Sequence, residues 1–283
     1  MRAVESLLHG AIDYAGLFPP AALDPEATVR NYTAYRAGRD EWALGRLVLP
    51  AAKVAEFAAR WPQHVAGWPI SLLLGADYDT EMRLAVDVGL KLDVVECRPA
   101  RLEDIVEIRR RMPRDGSLFV ESPLGCALQE LIAAIVDADA FAKIRTGGVV
   151  AEAIPASNSV AAFLVVCAER DVRLKATAGL HHAIRGEYRL TYEPDSPIAH
   201  MHGFVNFLLA TAAAREGSRE REIQEILNDR KTGDFTAGVE ELRWRERRFS
   251  WQAIQEMRKF AISFGSCSFE EPMQEMRGMG WLE

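Results

Sequence analysis

Two lysines stand in related settings near the middle of the chain, AFAKIRTGG around Lys143 and RLKATAGLHH around Lys175. An apolar segment with helical spacing separates them, so the stretch from Ala140 to His182 reads as strand, helix, strand. Side chains alternate along a strand, which puts Phe141, Lys143 and Arg145 on one face of the first strand and Arg173, Lys175 and Thr177 on one face of the second. As neighbouring parallel strands they bring the two lysines together. Ammonium groups a strand spacing apart, about 5 Å, repel each other, and a barrel interior strips their water; both effects lower a lysine pKa. A lysine that is neutral near pH 7 attacks carbonyl carbon and forms a Schiff base. Taken singly, each lysine is an ordinary strand-end residue with a snorkelling side chain. The chemistry rests on the pair.

A second set of residues suggests different chemistry. His181-His182 and His200-Met201-His202 lie close in sequence, and with Glu121 or Asp13 they would supply ligands to a divalent metal for hydrolysis or isomerisation. Adjacent histidines on extended chain point in opposite directions, so both ligate only if the chain bends; otherwise they are hydrogen-bonded loop residues. The four cysteines, Cys97, Cys126, Cys167 and Cys267, show no C-x-x-C spacing, so free thiols are expected and no disulfide. LRWRERRF at 242–249 mixes basic and aromatic residues with Glu246 and reads as a solvated helix face.

The elements that must hold these residues recur in one cycle. Ile12 to Phe18 reads as a first strand ended by Pro19-Pro20, and Asp24-Pro25-Glu26 opens a helix to Ala37 with an N-cap, an N1 proline and a first-turn acid. Apolar strands then follow at 46–50, 70–75, 91–96 and 118–121, each before a helical pattern. Continuous apolar runs mark strands buried on both faces. With the two lysine strands and FAISF at 260–264 the count reaches eight. The expected fold is a single α/β domain over residues 1–283, a (β/α)8 barrel with a helical insertion at 183–258. In that fold the site lies at the carboxyl ends of the strands, where Asp13, Asp93, Glu96, Glu121, Lys143, Arg145, Lys175, Thr177, His181, His182 and the turn 265–268 fall. Alternation puts Lys91, Asp93 and Val95 on one face and Glu96 on the other unless the strand has already ended; Asp93 on the inner face needs Lys143 or Lys175 as a partner. Gly179 and Gly265-Ser266 are placed to offer backbone N–H groups to a phosphate.

Composition narrows the partners. A net charge of −7 gives the surface no general attraction for phosphate backbones or anionic lipid, so neither nucleic acid nor membrane is expected. The amino terminus has no apolar core of signal-peptide length, and a cytoplasmic protein is expected.

The lysine strands resemble those of deoxyribose-phosphate aldolase. That family's sixth and seventh strands read approximately F-I-K-T-S-T-G and V-K-A-S-G-G, against Phe141-Ala142-Lys143-Ile144-Arg145-Thr146-Gly147 and Leu174-Lys175-Ala176-Thr177-Ala178-Gly179 here. Ile12-Asp13 with its proline turn, Asp93-Val94-Val95 and Val120-Glu121 are similar to other strands of the family in the same order. The resemblance implies Lys143 as Schiff-base nucleophile, Lys175 as the neighbour that tunes it, and Asp93 as proton-relay carboxylate. Asp13, Glu121, Arg145, Thr177, Gly179, His181, His182, Gly265 and Ser266 then surround the substrate. Arg145 in place of a small hydroxyl residue, His181-His182 in place of R-T, and the long insertion depart from the pattern. The expected activity is a carbon–carbon lyase of the class I aldolase type, needing no cofactor and acting on a small carbonyl compound, with or without a phosphate. The alternatives are a metal-dependent hydrolase or isomerase and a non-catalytic ligand-binding barrel. A homodimer through the apolar segment Phe204 to Ala214 is also expected.

Overall fold

The computed structural model describes residues 2–122 and 127–283, with Ser122 described in its backbone alone. Cys126 therefore lies outside the described residues.

Eight parallel strands close into a barrel. They are β1 (Ile12–Tyr14), β2 (Leu44–Pro50), β3 (Ile70–Leu73), β4 (Val94–Cys97), β5 (Ser117–Ser122), β6 (Phe141–Arg145), β7 (Leu174–Thr177) and an eighth barrel strand, Ala261–Ser266. The first and eighth strands pair, Asp13 beside Gly265, and this closes the ring. The (β/α)8 barrel is thus the fold, and each expected strand is present with ends shifted by a few residues.

Local signals explain the helices. Asp24 accepts the Ala27 N–H at 2.7 Å and starts the helix Pro25–Arg36, as its cap chemistry predicts. The crossover helix Ser157–Glu169 with its preceding turn forms a 19-residue stretch of mean hydropathy 1.5, apolar enough by length and composition to cross a membrane. Its apolar character has a packing cause. Leu128–Asp137, Phe204–Arg215 and Glu220–Asn228 all pack against it.

The insertion departs from the helical expectation. It contains a hairpin, Gly186–Arg189 with Ile198–Met201, and a three-stranded antiparallel sheet, Phe235–Ala237, Glu241–Trp244 and Arg247–Ser250. LRWRERRF is two of those strands and their turn, not a helix: Leu242, Trp244 and Phe249 are buried while their neighbours face outward, a period of two. Arg245 takes φ +52° at the reversal. Phe204–Arg215 packs on the last barrel strand and on the helix Ser157–Glu169, filling a crossover position, with Phe204 to Ala214 buried throughout. The apolar face that suggested a dimer is consumed within the chain.

The turns after β6 and β7 meet at two glycines. A Cβ on Gly179 would lie 2.9 Å from the Gly147 Cα, and Gly179 has φ +76°. Thr146 Oγ donates to the Ala178 carbonyl at 2.6 Å and ties the turns together. Gly179→Ala is expected to cost about 1–3 kcal/mol through left-handed strain and overpacking. Urea denaturation checks this; unchanged stability would show that the turns separate freely.

Candidate active site

Register decides where the lysines go. Lys143 and Lys175 are directly paired neighbours on β6 and β7, and Glu121 of β5 pairs with Lys143 on the other side. All three point into the barrel, where a core normally fills with aliphatic layers. Here the middle of the barrel is ionic. Lys143 is 2% exposed, and Lys175 and Glu96 are each 1% exposed.

The charges alternate along a continuous chain. Asp13 Oδ2 accepts from Lys175 Nζ at 2.6 Å, and Lys175 also donates to Glu96 Oε1 at 2.6 Å. The other oxygen of Glu96 lies 2.7 Å from Lys143 Nζ, and Lys143 lies 3.1 Å from Glu121 Oε2. Glu121 Oε1 then accepts from Arg145 Nε at 3.2 Å. Ser71 donates to Glu96 and Ser263 to Asp13, each at 2.6 Å, while the Arg46 N–H fixes the second Asp13 oxygen at 2.8 Å. These partners satisfy the buried oxygens, the condition for keeping charge in a core.

Two expectations need correction. Asp93 precedes β4 and is half-exposed, with its carboxylate 2.9 Å from Arg46 and away from both lysines. Glu96 is the inward carboxylate. Alternation along KLDVVE showed which residues share a face but not which face turns inward, because strand residues on both sides of a barrel wall are buried. The lysines, moreover, are not left in mutual repulsion. Burial alone would lower the Lys175 pKa, but Asp13 and Glu96 outweigh it and hold that ammonium well above the usual lysine range. Burial would likewise raise Glu96 and Glu121, yet Lys143 and Lys175 hold the first, and Lys143 and Arg145 the second, below the usual carboxylate range.

The histidines take separate partners. His181 Nδ1 lies 3.1 Å from Ser266 Oγ and 3.6 Å from Cys267 Sγ. Burial pushes the His181 pKa down to about 4 and the Cys267 thiol up to about 11, which describes a neutral pair rather than an activated thiolate. His182 stacks on Tyr188 and shares Glu275 with the Ala183 N–H. His202 lies 2.8 Å from the Pro155 carbonyl, and His200 is on the outer hairpin beside Glu187. Among the described residues, no group of three or more His, Cys, Asp or Glu side chains is arranged to hold a metal ion. Thr177 touches the interior face of Gly265, where a Cβ would meet its Oγ1 at 3.1 Å. Gly179 is occupied by its contact with Gly147. Asp13, Glu121 and Arg145 join the lysines; His181, Thr177, Gly265 and Ser266 form the adjoining wall, and Asp93 and His182 do not take part.

The ionic chain meets solvent at both ends. Arg145, the last residue of β6, has a side chain 48% exposed at the carboxyl-end mouth. From the amino-terminal side a cavity of about 230 Å³ reaches Asp13, Lys175 and Ser263 between Arg46, Val94 and Phe119. A separate cleft of about 830 Å³ beside Trp42, Arg277 and Trp281 touches none of these groups. Comparison with family models, curated proteins and solved structures finds no match to this chain.

Stability should fall on acidification in two stages. Burial holds His202, like His181, down at about 4, so between pH 6.5 and 4 the unfolded chain binds protons that the folded chain refuses. Their contribution is present above pH 6.5 and is lost as pH falls. Below the usual carboxylate range Glu96 and Glu121 act in the same direction. Each group gives a slope of up to about 1.4 kcal/mol per pH unit. Urea titrations from pH 8 to 3.5 test this, with His181→Gln/His202→Gln flattening the first stage; a flat wild-type profile would contradict the assigned shifts.

Proposed function

We propose that the barrel is a Schiff-base carbon–carbon lyase with Lys143 as nucleophile. The reading is carried by one observation, the Glu96 carboxylate that accepts from Lys143 on one oxygen and from Lys175 on the other inside the barrel. A buried ionic network is a poor way to stabilise a core, because desolvation offsets its Coulomb energy. Its place across five barrel strands suits chemistry better. The resemblance of β6 and β7 to the lysine strands of deoxyribose-phosphate aldolase supports the same assignment.

Proton accounting makes a carboxylate-paired lysine compatible with attack. An ammonium has three protons, and the iminium nitrogen retains one; the other two leave with the carbonyl oxygen as water. The net proton change is zero. A neighbouring carboxylate need only take a proton from Lys143 and return it to the departing oxygen. Glu121 fits that shuttle role, since it stands beside Lys143 in the register with an oxygen 3.1 Å from Nζ. Glu96 is pinned by Ser71 and both lysines and holds the charge in place.

In the lyase direction Glu121 accepts the proton of the β-hydroxyl as the adjacent carbon–carbon bond breaks. The bonding electrons pass to the iminium nitrogen and give an enamine and a free aldehyde. Glu121 returns its proton to the enamine carbon, and water then releases the product and regenerates Lys143.

Borohydride reduction in the presence of acetaldehyde tests the nucleophile. Peptide mass spectrometry should find the adduct concentrated on Lys143 and absent from Lys143→Met. Glu121→Gln should slow labelling about 100-fold, the scale of a lost proton shuttle. Even labelling across surface lysines would contradict the proposal.

A further inference from the structure

Arg145 is the one member of the ionic chain that leaves donors free at the barrel mouth. Its Nε is bonded to Glu121 Oε1 at 3.2 Å, and Nη1 and Nη2 have no hydrogen-bond partner among the described residues. The side chain is 48% exposed and belongs to the same inward face as Lys143, two residues further along β6. That is about 6.6 Å up the strand.

We infer that Arg145 binds the carboxylate of a 2-oxo acid whose keto carbon is the one attacked by Lys143. The inference rests on the Schiff-base reading and adds the substrate class to it. Glu121 supplies the measure of length. Its carboxylate touches Lys143 Nζ with one oxygen, at 3.1 Å, and Arg145 Nε with the other, so the gap between nucleophile and guanidinium is bridged by a single O–C–O unit. A 2-oxo acid bonded to Nζ sets the same number of atoms between the two groups, drawn closer because a covalent bond replaces the 3.1 Å contact. With its keto carbon bonded to Nζ, the attached carboxyl carbon and one oxygen reach the guanidinium, with only three atoms between the two nitrogen groups. A phosphate ester carries its anion several bonds further from the carbonyl carbon and overshoots this gap. A planar fork also suits a carboxylate, which takes two parallel N–H bonds from Arg.

The expected consequence is chemical selection. A carboxylate paired to Arg145 draws the 2-oxo acid to Lys143, while neutral carbonyl compounds meet Lys143 and Glu121 without that attraction. The covalent step is the one already balanced, ammonium plus ketone giving iminium plus water, so no further reactant is needed.

The probes are pyruvate, its uncharged methyl ester and dihydroxyacetone phosphate, each reduced onto the protein with borohydride and quantified on the Lys143 peptide. The ratio of pyruvate to methyl pyruvate labelling is compared between wild type and Arg145→Leu, so intrinsic carbonyl reactivity cancels. The ratio should fall about tenfold or more in the variant, the scale of a lost charge-assisted bond, and division by methyl pyruvate labelling removes whatever the lost Arg145–Glu121 bond does to the nucleophile itself. An unchanged ratio with Lys143 still labelled overturns the role of Arg145 and leaves the nucleophile standing. Preference for dihydroxyacetone phosphate that Arg145→Leu abolishes overturns the 2-oxo acid in favour of a phosphate. No Lys143 adduct from any of the three overturns both the substrate class and the Schiff-base reading.

Discussion

The arrangement on which the site depends is a carboxylate shared between two ammonium groups where water cannot reach. Removing Lys175 leaves Asp13 without an ionic partner in low dielectric, and removing Glu96 takes one of two carboxylate partners from each lysine, so the charges are coupled along the chain. The barrel accommodates it because small polar residues stand beside it: Ser71 and Ser263 each donate a second hydrogen bond to the Glu96 and Asp13 oxygens that Lys175 also bonds. Gly45 gives Asp13 its room, since a Cβ there would lie 2.3 Å from Asp13 Oδ1.

Outside this level the molecule is an ordinary α/β barrel, and its packing serves to hold the strand register. The pairing of Lys143 with Lys175 follows from neighbouring parallel strands, and the Gly147–Gly179 contact with the Thr146 bond locks the carboxyl ends of those strands together. The insertion adds cover rather than charge. Its hairpin brings the Tyr192 hydroxyl to 3.6 Å from Cys267 Sγ beside the last barrel strand, and Glu275 holds His182 and the Ala183 N–H at the entry to that hairpin. Both contacts fix the rim beside the lysine strands without entering the ionic chain.

Much of this was legible in the sequence because strand–helix alternation leaves strong marks. Eight apolar runs, the Asp24 cap and the parity of Phe141, Lys143 and Arg145 follow from local chemistry and hold in the structure. Glu96 was visible as a polar residue at a strand end, but its inward direction depends on how β4 sits between β3 and β5, which alternation within one strand does not determine. Asp93 fails for the same reason, one residue of phase. The sequence also places the lysines together without showing what lies between them: Asp13 and Glu96 come from strands far away in the chain, and they turn an expected repulsion into a bridge. The inserted sheet was missed at LRWRERRF because its arginines and glutamates also suit a helix, although the buried Leu242, Trp244 and Phe249 follow the period of a strand.

The claim at the centre of this account is that the ionic chain serves chemistry and not stability. The direct measurement is the unfolding free energy of a variant that removes the four innermost charges together, Glu96→Leu, Lys143→Met, Lys175→Met and Asp13→Asn, which keeps an acceptor for the Arg46 N–H and leaves Glu121 paired with Arg145, set beside Lys175→Met alone, which strands Asp13. Apolar replacement of a whole buried network is commonly neutral, whereas a single broken partner costs about 3–5 kcal/mol. The account predicts a combined variant within about 2 kcal/mol of wild type, unable to form an imine, and a single variant in that costlier range. A combined variant as unstable as the single one would contradict it and make the chain a structural necessity of the barrel.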